Sequence, residues 1–198
     1  AFTAIPFGLT YTEIDAWIKY AGGQALWDEL GGEFGLKCVA CGNTGVQMGG
    51  WFNKEINSVE DLKGLKMRIP GLGGDVMAKL GASPVSLPGS QIYENLVSGA
   101  IDATEWVGPY NDLAFGLYKA AKYYYYPGWH EPGTTMECLL NRAAYAALPP
   151  DLQSIVSNAC RVMNGDMLAE YTARNNTALQ SLVNDHGVDV REFPRGVL

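Results

Sequence analysis

The strongest constraint on the fold lies between Leu65 and Val107, where short apolar runs alternate with helical ones and Gly or Pro marks each change. Leu65-Lys66-Met67-Arg68-Ile69 reads as a strand ended by Pro70-Gly71. Gly74 to Leu80 then reads as a helix closed by Gly81, and Pro84 to Leu87 as a strand. Gln91 to Val97 is a helix closed by Gly99, and Ile101 to Val107 a third strand. A strand does not continue through Pro-Gly, and a helix ends readily at a Gly that adopts the left-handed conformation. Two successive β-α-β units imply a mostly parallel α/β sheet. Ligands of such sheets bind outside the carboxyl ends of the strands. Arg68 stands near one such end and Glu105-Trp106 near another, so the two are expected to be neighbours.

The flanks extend the α/β pattern. Thr3 to Gly8 reads as a strand, Glu13 to Tyr20 and Gln24 to Leu30 as helices, and Leu36 to Ala40 as a strand. Ser58 and Asp61 form a capping-box pair over a short helical turn that Gly64 stops. Lys122 to Tyr126 and Thr134 to Asn141 read as extended. Leu148-Pro149-Pro150-Asp151 opens a helix with Pro at its start, where the missing N–H costs little. Helical spacing then persists towards Leu182, long enough to run through two lobes, and Val188 to Phe193 is a terminal strand.

The formal net charge of -7 argues against nucleic-acid binding, which needs clustered Lys and Arg. An anionic ligand would require a local, pre-placed cation instead of long-range steering. No apolar run approaches the roughly 18 residues of a membrane span. The opening Ala1-Phe2-Thr3-Ala4-Ile5-Pro6-Phe7-Gly8 reads like the interior of a domain, so the chain is expected to be truncated at its N-terminus, without its signal peptide.

Several residue groups carry candidate chemistry. Arg68 ends an apolar strand, and a guanidinium can grip a carboxylate through two parallel N–H donors. The glycine-rich run from Gly42 to Trp51 lacks the endings of phosphate-binding loops, but Asn43 and Gln47 would offer neutral amide groups to a small ligand. Asp102-Ala103-Thr104-Glu105-Trp106 closes a strand with an acid that could hold a hard cation and an indole that could wall a pocket. Cys38-Val39-Ala40-Cys41 has the spacing of a redox pair or of half a zinc ribbon. Cys138 and Cys160 are too far apart in sequence to complete a ribbon. The apolar neighbours of the pair favour a buried strand, with a local disulfide or redox role as the alternative. His130 has no evident nucleophile partner, and no hydrolase elbow or zinc helix occurs, which favours binding over turnover.

Four segments together closely resemble the solute receptors of tripartite ATP-independent periplasmic (TRAP) transporters, in the branch that takes 2-oxo acids and lactate. They are Gly42 to Phe52 with Lys54-Glu55-Ile56, Leu62 to Arg68, Gly99 to Tyr110, and Tyr123 to Trp129. The resemblance implies a periplasmic binding protein type II-like α/β clamshell of two lobes with a long helix spanning both. Here the clamshell would be partial, most of the first lobe missing: residues 1–20 as its remnant and hinge, 21–104 as lobe II, 105–145 as a lobe I segment, and 146–198 as the interlobe helix and the end of lobe II. It also implies that Arg68 holds the ligand carboxylate, that Gln47 touches both ligand and cation, and that Glu105, Trp106 and Glu131 complete the cation site. Asn43 and Trp106 would join Arg68 and Gln47 around the substrate. The cation would be sodium or calcium, with no other cofactor. The partners would be a small organic carboxylate, the membrane permease subunits and, as a further option, a second copy of the chain, all in the periplasm. The competing reading is an α/β enzyme acting on a small carboxylate with Glu105 or Glu131 as general base.

Overall fold

A computed structural model describes residues 4–198. In chain order its elements are α1 (Tyr11–Tyr20), α2 (Gly23–Glu33), β1 (Leu36–Asn43), β2 (Gly50–Phe52), β3 (Lys66–Arg68), α3 (Gly71–Lys79), β4 (Ser83–Val85), α4 (Gly89–Ser98) and β5 (Ala103–Thr104). They continue with α5 (Pro109–Phe115), β6 (Tyr123–Tyr126), β7 (Thr135–Asn141), α6 (Arg142–Ala146), α7 (Pro150–Asn184) and β8 (Asp189–Glu192). Among the described residues no helix is long and apolar enough to cross a membrane.

The chain divides into two compact units. The first comprises Leu9–Gly45 and Gly133–Thr172 together with Ala4; the second comprises Ile5–Gly8, Val46–Pro132 and Ala173–Leu198. These changeovers differ from the lobe boundaries expected after residues 20, 104 and 145. The reason is the antiparallel pairing of β1 with β7, which ties residues 36–43 to 135–141 and so holds both stretches in one unit. The 35-residue helix α7 contributes to both.

In the first unit, Ile14 and Ile18 of α1 pack with Trp27 of α2 and with Cys38 and Ala40 of β1. Alternate residues of β1 point to opposite faces, so Cys38 and Ala40 enter this core while Val39 and Cys41 point away. The capping expected of a helix start is met at α1, where the Thr10 amide and hydroxyl both donate to Glu13 Oε2, at 2.8 and 2.7 Å.

The second unit is built on a six-stranded sheet in the order β4-β3-β5-β2-β6-β8. β3 runs parallel to β4 and β5, and β6 parallel to β8, but β2 is antiparallel to both its neighbours. The sheet is therefore mixed. The centre is β2, which lies within the glycine-rich run from Gly42 to Trp51 and its next residue. Glycine neighbours mask a three-residue strand whose two side chains, Trp51 and Phe52, are buried on opposite faces. Trp51 stacks on Tyr124 of β6 at 4.0 Å on one face; Phe52 meets Tyr125 and Phe193 on the other. A sheet covered on both faces has no polar alternation to reveal its strands.

The strand expected over Thr3 to Gly8 is not formed. Thr3 lies outside the described residues, and Pro6-Phe7 form a turn in which Phe7 has φ 55° and the Gly8 amide donates to Ile5 O at 2.9 Å. A proline without an N–H and a residue in left-handed conformation cannot sustain a ladder. The strand expected over Ile101 to Val107 shortens to Ala103–Thr104, because the chain turns away at Glu105.

Candidate functional site

β3 and β5 lie side by side in parallel, with Arg68 in register with Thr104 and the Glu105 amide donating to Arg68 O at 3.2 Å. This register brings the last residue of β3 against the first residue beyond β5. Thr104 Oγ1 donates to Glu105 O at 2.9 Å and helps fix the turn. Arg68 Nη1 donates to Glu105 Oε1 and also to Glu105 O at 3.3 Å, while Arg68 Nε donates to Leu87 O at 3.2 Å. The two side chains are only 11% and 4% exposed. A buried ion pair of this kind is retained only where further hydrogen bonds support it, and here three of the five guanidinium N–H groups have protein acceptors. The two on Nη2 have no hydrogen-bond partner among the described residues. They form the free edge of a fixed fork, the geometry that receives a carboxylate.

Trp106 covers this arginine. Its ring centroid lies 5.4 Å from the guanidinium carbon and stacks on Phe115 at 4.8 Å. A Cβ at position 89 would come within 2.7 Å of Trp106 Cη2, so only glycine at the start of α4 leaves room for the indole. The other oxygen of Glu105 meets His130 Nε2 at 3.3 Å, whereas the buried His130 Nδ1 has no partner among the described residues. His130 belongs to the loop after β6, which also carries Glu131, and ligand atoms of Glu105, His130 and Glu131 all lie within 4.8 Å of one another. Gln47 is drawn towards the same segments by its main chain. The Gly128 amide donates to Gln47 O at 3.1 Å, and the next residue, Met48, donates to Val107 O at 3.0 Å.

Two carboxylates and a neighbouring amide suit sodium or calcium, which take oxygen ligands. The imidazole does not suit those ions, and its Nε2 already faces Glu105. The donor set thus fits a hard cation held by Glu105 and Glu131, with His130 orienting Glu105 instead of ligating.

Sequence reasoning overlooked two residues. His130 has no nucleophile partner evident in the sequence; its partner is a carboxylate 25 positions away in the chain. Asp112, on α5, is buried and accepts from Trp51 Nε1 at 2.9 Å, Tyr124 OH at 2.8 Å and the Val107 amide at 3.2 Å. Burial pushes its carboxyl from 3.8 up to about 6, against the lowering effect of its hydrogen bonds and with a further push from the charge of Glu105.

Arg68, Glu105, Trp106 and Glu131 are brought together, and Gln47 approaches them through its backbone. Asn43 lies in the first unit, where its side chain is engaged locally: Oδ1 accepts from the Gly45 amide at 2.9 Å and Nδ2 donates to Tyr11 O at 3.4 Å. Cys38 and Cys41 stand on opposite faces of β1 and do not form a pair.

Over residues 1–197 the sequence matches the profile of the bacterial extracellular solute-binding protein, family 7. It is 51% identical over 181 residues to the monocarboxylate 2-oxoacid-binding periplasmic protein of Nostoc sp., a match that covers 91% of this chain and 50% of that protein. Two solved TRAP periplasmic solute-binding proteins are each 49% identical and are covered over 60% of their length by 99% of this chain. One, from Pseudoalteromonas atlantica, carries bound sodium and pyruvate and gives a TM-score of 0.94; the other, from Colwellia psychrerythraea, carries calcium and pyruvate and gives 0.95. The chain spans about half the length of the Nostoc relative.

Proposed function

This chain belongs to the bacterial extracellular solute-binding proteins of family 7, and from that premise we propose that it is part of a periplasmic receptor that captures a small monocarboxylate with a cation. The ligand is a 2-oxo acid such as pyruvate or a 2-hydroxy acid such as lactate, and the receptor delivers it to the permease of a TRAP transporter. The observation that carries this reading is Arg68. It is held on one side by Glu105 and Leu87 O, covered by Trp106, and keeps the two Nη2 donors for a further acceptor. Burying a carboxylate costs several kcal/mol unless it is paired, and a pre-oriented guanidinium offsets that cost. Gln47 and Trp106 line the ligand, while Asn43 sets the turn that leads into Gln47. Glu105 and Glu131 hold the cation, assisted by Gln47 and Trp106. A bound cation supplies positive charge for the same carboxylate.

The relatives described above, with pyruvate and sodium or calcium, support this choice of ligand and ion. The enzyme reading fares worse on physical grounds. It would need Glu105 or Glu131 as general base, and Glu105 is ion-paired with Arg68 and faces His130, an arrangement that suits a fixed anionic ligand for a cation better than a base that must take up a substrate proton. Mixing the protein with pyruvate distinguishes the two. The receptor predicts a higher melting temperature with pyruvate recovered intact; consumption of pyruvate would overturn it. Removing divalent ions with a chelator and replacing sodium by a large organic cation should together weaken binding, and indifference to both would reject the cation site.

A further inference from the structure

The remaining chemistry lies in the first unit, in three cysteines that the ligand site does not use. Cys41 is the extra residue of a bulge in β1, between Ala40, which pairs with Glu137, and Gly42, which pairs with Met136. On β7, Cys138 stands opposite Val39, two residues before Cys41 in β1. Cys41 and Cys160, the latter contributed by α7, both lie close enough to Cys138 for its thiol to raise theirs. Cys38 is excluded from this group. It lies in the core on the other face of β1, where a Cβ on Gly31 of α2 would approach its Sγ to 2.8 Å. All four cysteines are reduced in this structure. A strand, a neighbouring strand and a helix thus converge on one central thiol with two alternative partners.

We propose that Cys138 is the hub of a thiol–disulfide site and forms an intramolecular disulfide with either Cys41 or Cys160. The oxidant is a small or protein disulfide. The Cys138 thiolate attacks one of its sulfurs, the oxidant S–S bond breaks, and one oxidant thiolate leaves. The thiolate of Cys41 or Cys160 then attacks the Cys138 sulfur of the mixed disulfide and displaces the second oxidant thiolate. Two protein thiols together lose two protons and two electrons, and the oxidant disulfide becomes two thiols. An oxidising compartment would favour the product, and that part alone rests on the receptor reading; the convergence of the thiols does not. Burial holds the Cys41 and Cys160 thiols above their ordinary range, assisted by the neighbouring Cys138. Exchange should therefore be slow at neutral pH and faster at higher pH, because the thiolate is the nucleophile.

The purified protein is incubated in a buffer of oxidised and reduced glutathione at mildly alkaline pH, blocked with an alkylating agent, digested and mapped by mass spectrometry without reduction. Two of the four thiols should be lost, with Cys138 linked to Cys41 or to Cys160. Cys41→Ser should direct all linkage to Cys138–Cys160, and Cys160→Ser all linkage to Cys41–Cys138. Cys138→Ser should abolish intramolecular linkage, with circular dichroism verifying that the variant is folded. Retention of four alkylatable thiols in the wild-type protein would overturn the proposal. So would a linkage that includes Cys38, or an intramolecular disulfide that survives in Cys138→Ser. Pyruvate binding measured on the same samples keeps the two readings apart: intact binding with no disulfide removes only the thiol site.

Discussion

The regions around Asp112 and around Glu105 lie in one unit, and each buries a carboxylate by a different means. Asp112 is surrounded by neutral donors from Trp51, Tyr124 and the Val107 amide, beneath the stacked aromatic pair at the centre of the sheet. Glu105 stands at the strand ends and faces Arg68 and His130. Neutral donors can solvate an anion but add no charge, so the region around Asp112 is saturated and can only serve the fold. A guanidinium with donors to spare can balance its own carboxylate and attract another, so the region around Glu105 can bind. Val107 joins them: its amide donates to Asp112 and its carbonyl accepts from Met48, so the acid that serves the fold fixes the segment that carries Glu105 and Trp106.

The sharpest way to break this comparison is to remove the cation from the binding region. Arg68→Ala should weaken pyruvate binding roughly 10³-fold, about 4 kcal/mol, because one partner of a desolvated charged contact is lost. Isothermal calorimetry reads this directly, and an affinity within a few-fold of wild type would refute the clamp. Arg68→Lys should recover only part of the loss, since an ammonium cannot reproduce the planar fork.

A second test addresses the neutral region through pH. The Asp112 carboxyl is raised to about 6 in the fold, against 3.8 ordinarily. Between those values the native protein keeps a proton that the unfolded chain has released, so stability falls as pH rises through this window and levels off above it. The size is up to about 3 kcal/mol, from about 1.4 kcal/mol for each unit of difference. Denaturant titrations at pH values from 4 to 7 should show this decline in the wild type and a flatter profile in Asp112→Asn. Equal pH dependence in the two proteins would mean that Asp112 is not the buried acid responsible.

The two regions also differed in how far they could be read from sequence. Arg68 and Glu105 were expected to be neighbours because strand ends in adjacent β-α-β units meet, a consequence of local punctuation. Asp112 depends on Tyr124 of the next strand and on Trp51, 61 positions away, and no local pattern announces a pairing of that kind. The same limit hid β2, whose neighbours β5 and β6 are also remote. Cys-x-x-Cys was legible for the converse reason: its apolar neighbours favour a strand, and in a strand an offset of three residues places side chains on opposite faces. The bulge at Cys41 arises from pairing with β7 and is not written in β1 alone.

The smallest test changes shape and leaves every charge in place. Gly89→Ala should raise the intrinsic helix preference of α4 by somewhat under 1 kcal/mol, while its methyl group would sit 2.7 Å from Trp106 Cη2. The indole must shift, because helix backbone yields less readily than a side chain at a partly exposed position. The stacking of Trp106 over Arg68 is then lost, a contact worth about 1 kcal/mol, so pyruvate affinity should fall about fivefold while the melting temperature moves by only a few degrees. The converse result, a large drop in melting temperature with unchanged affinity, would show that Trp106 supports the fold as Asp112 does. It would then have no part in holding Arg68 for the ligand.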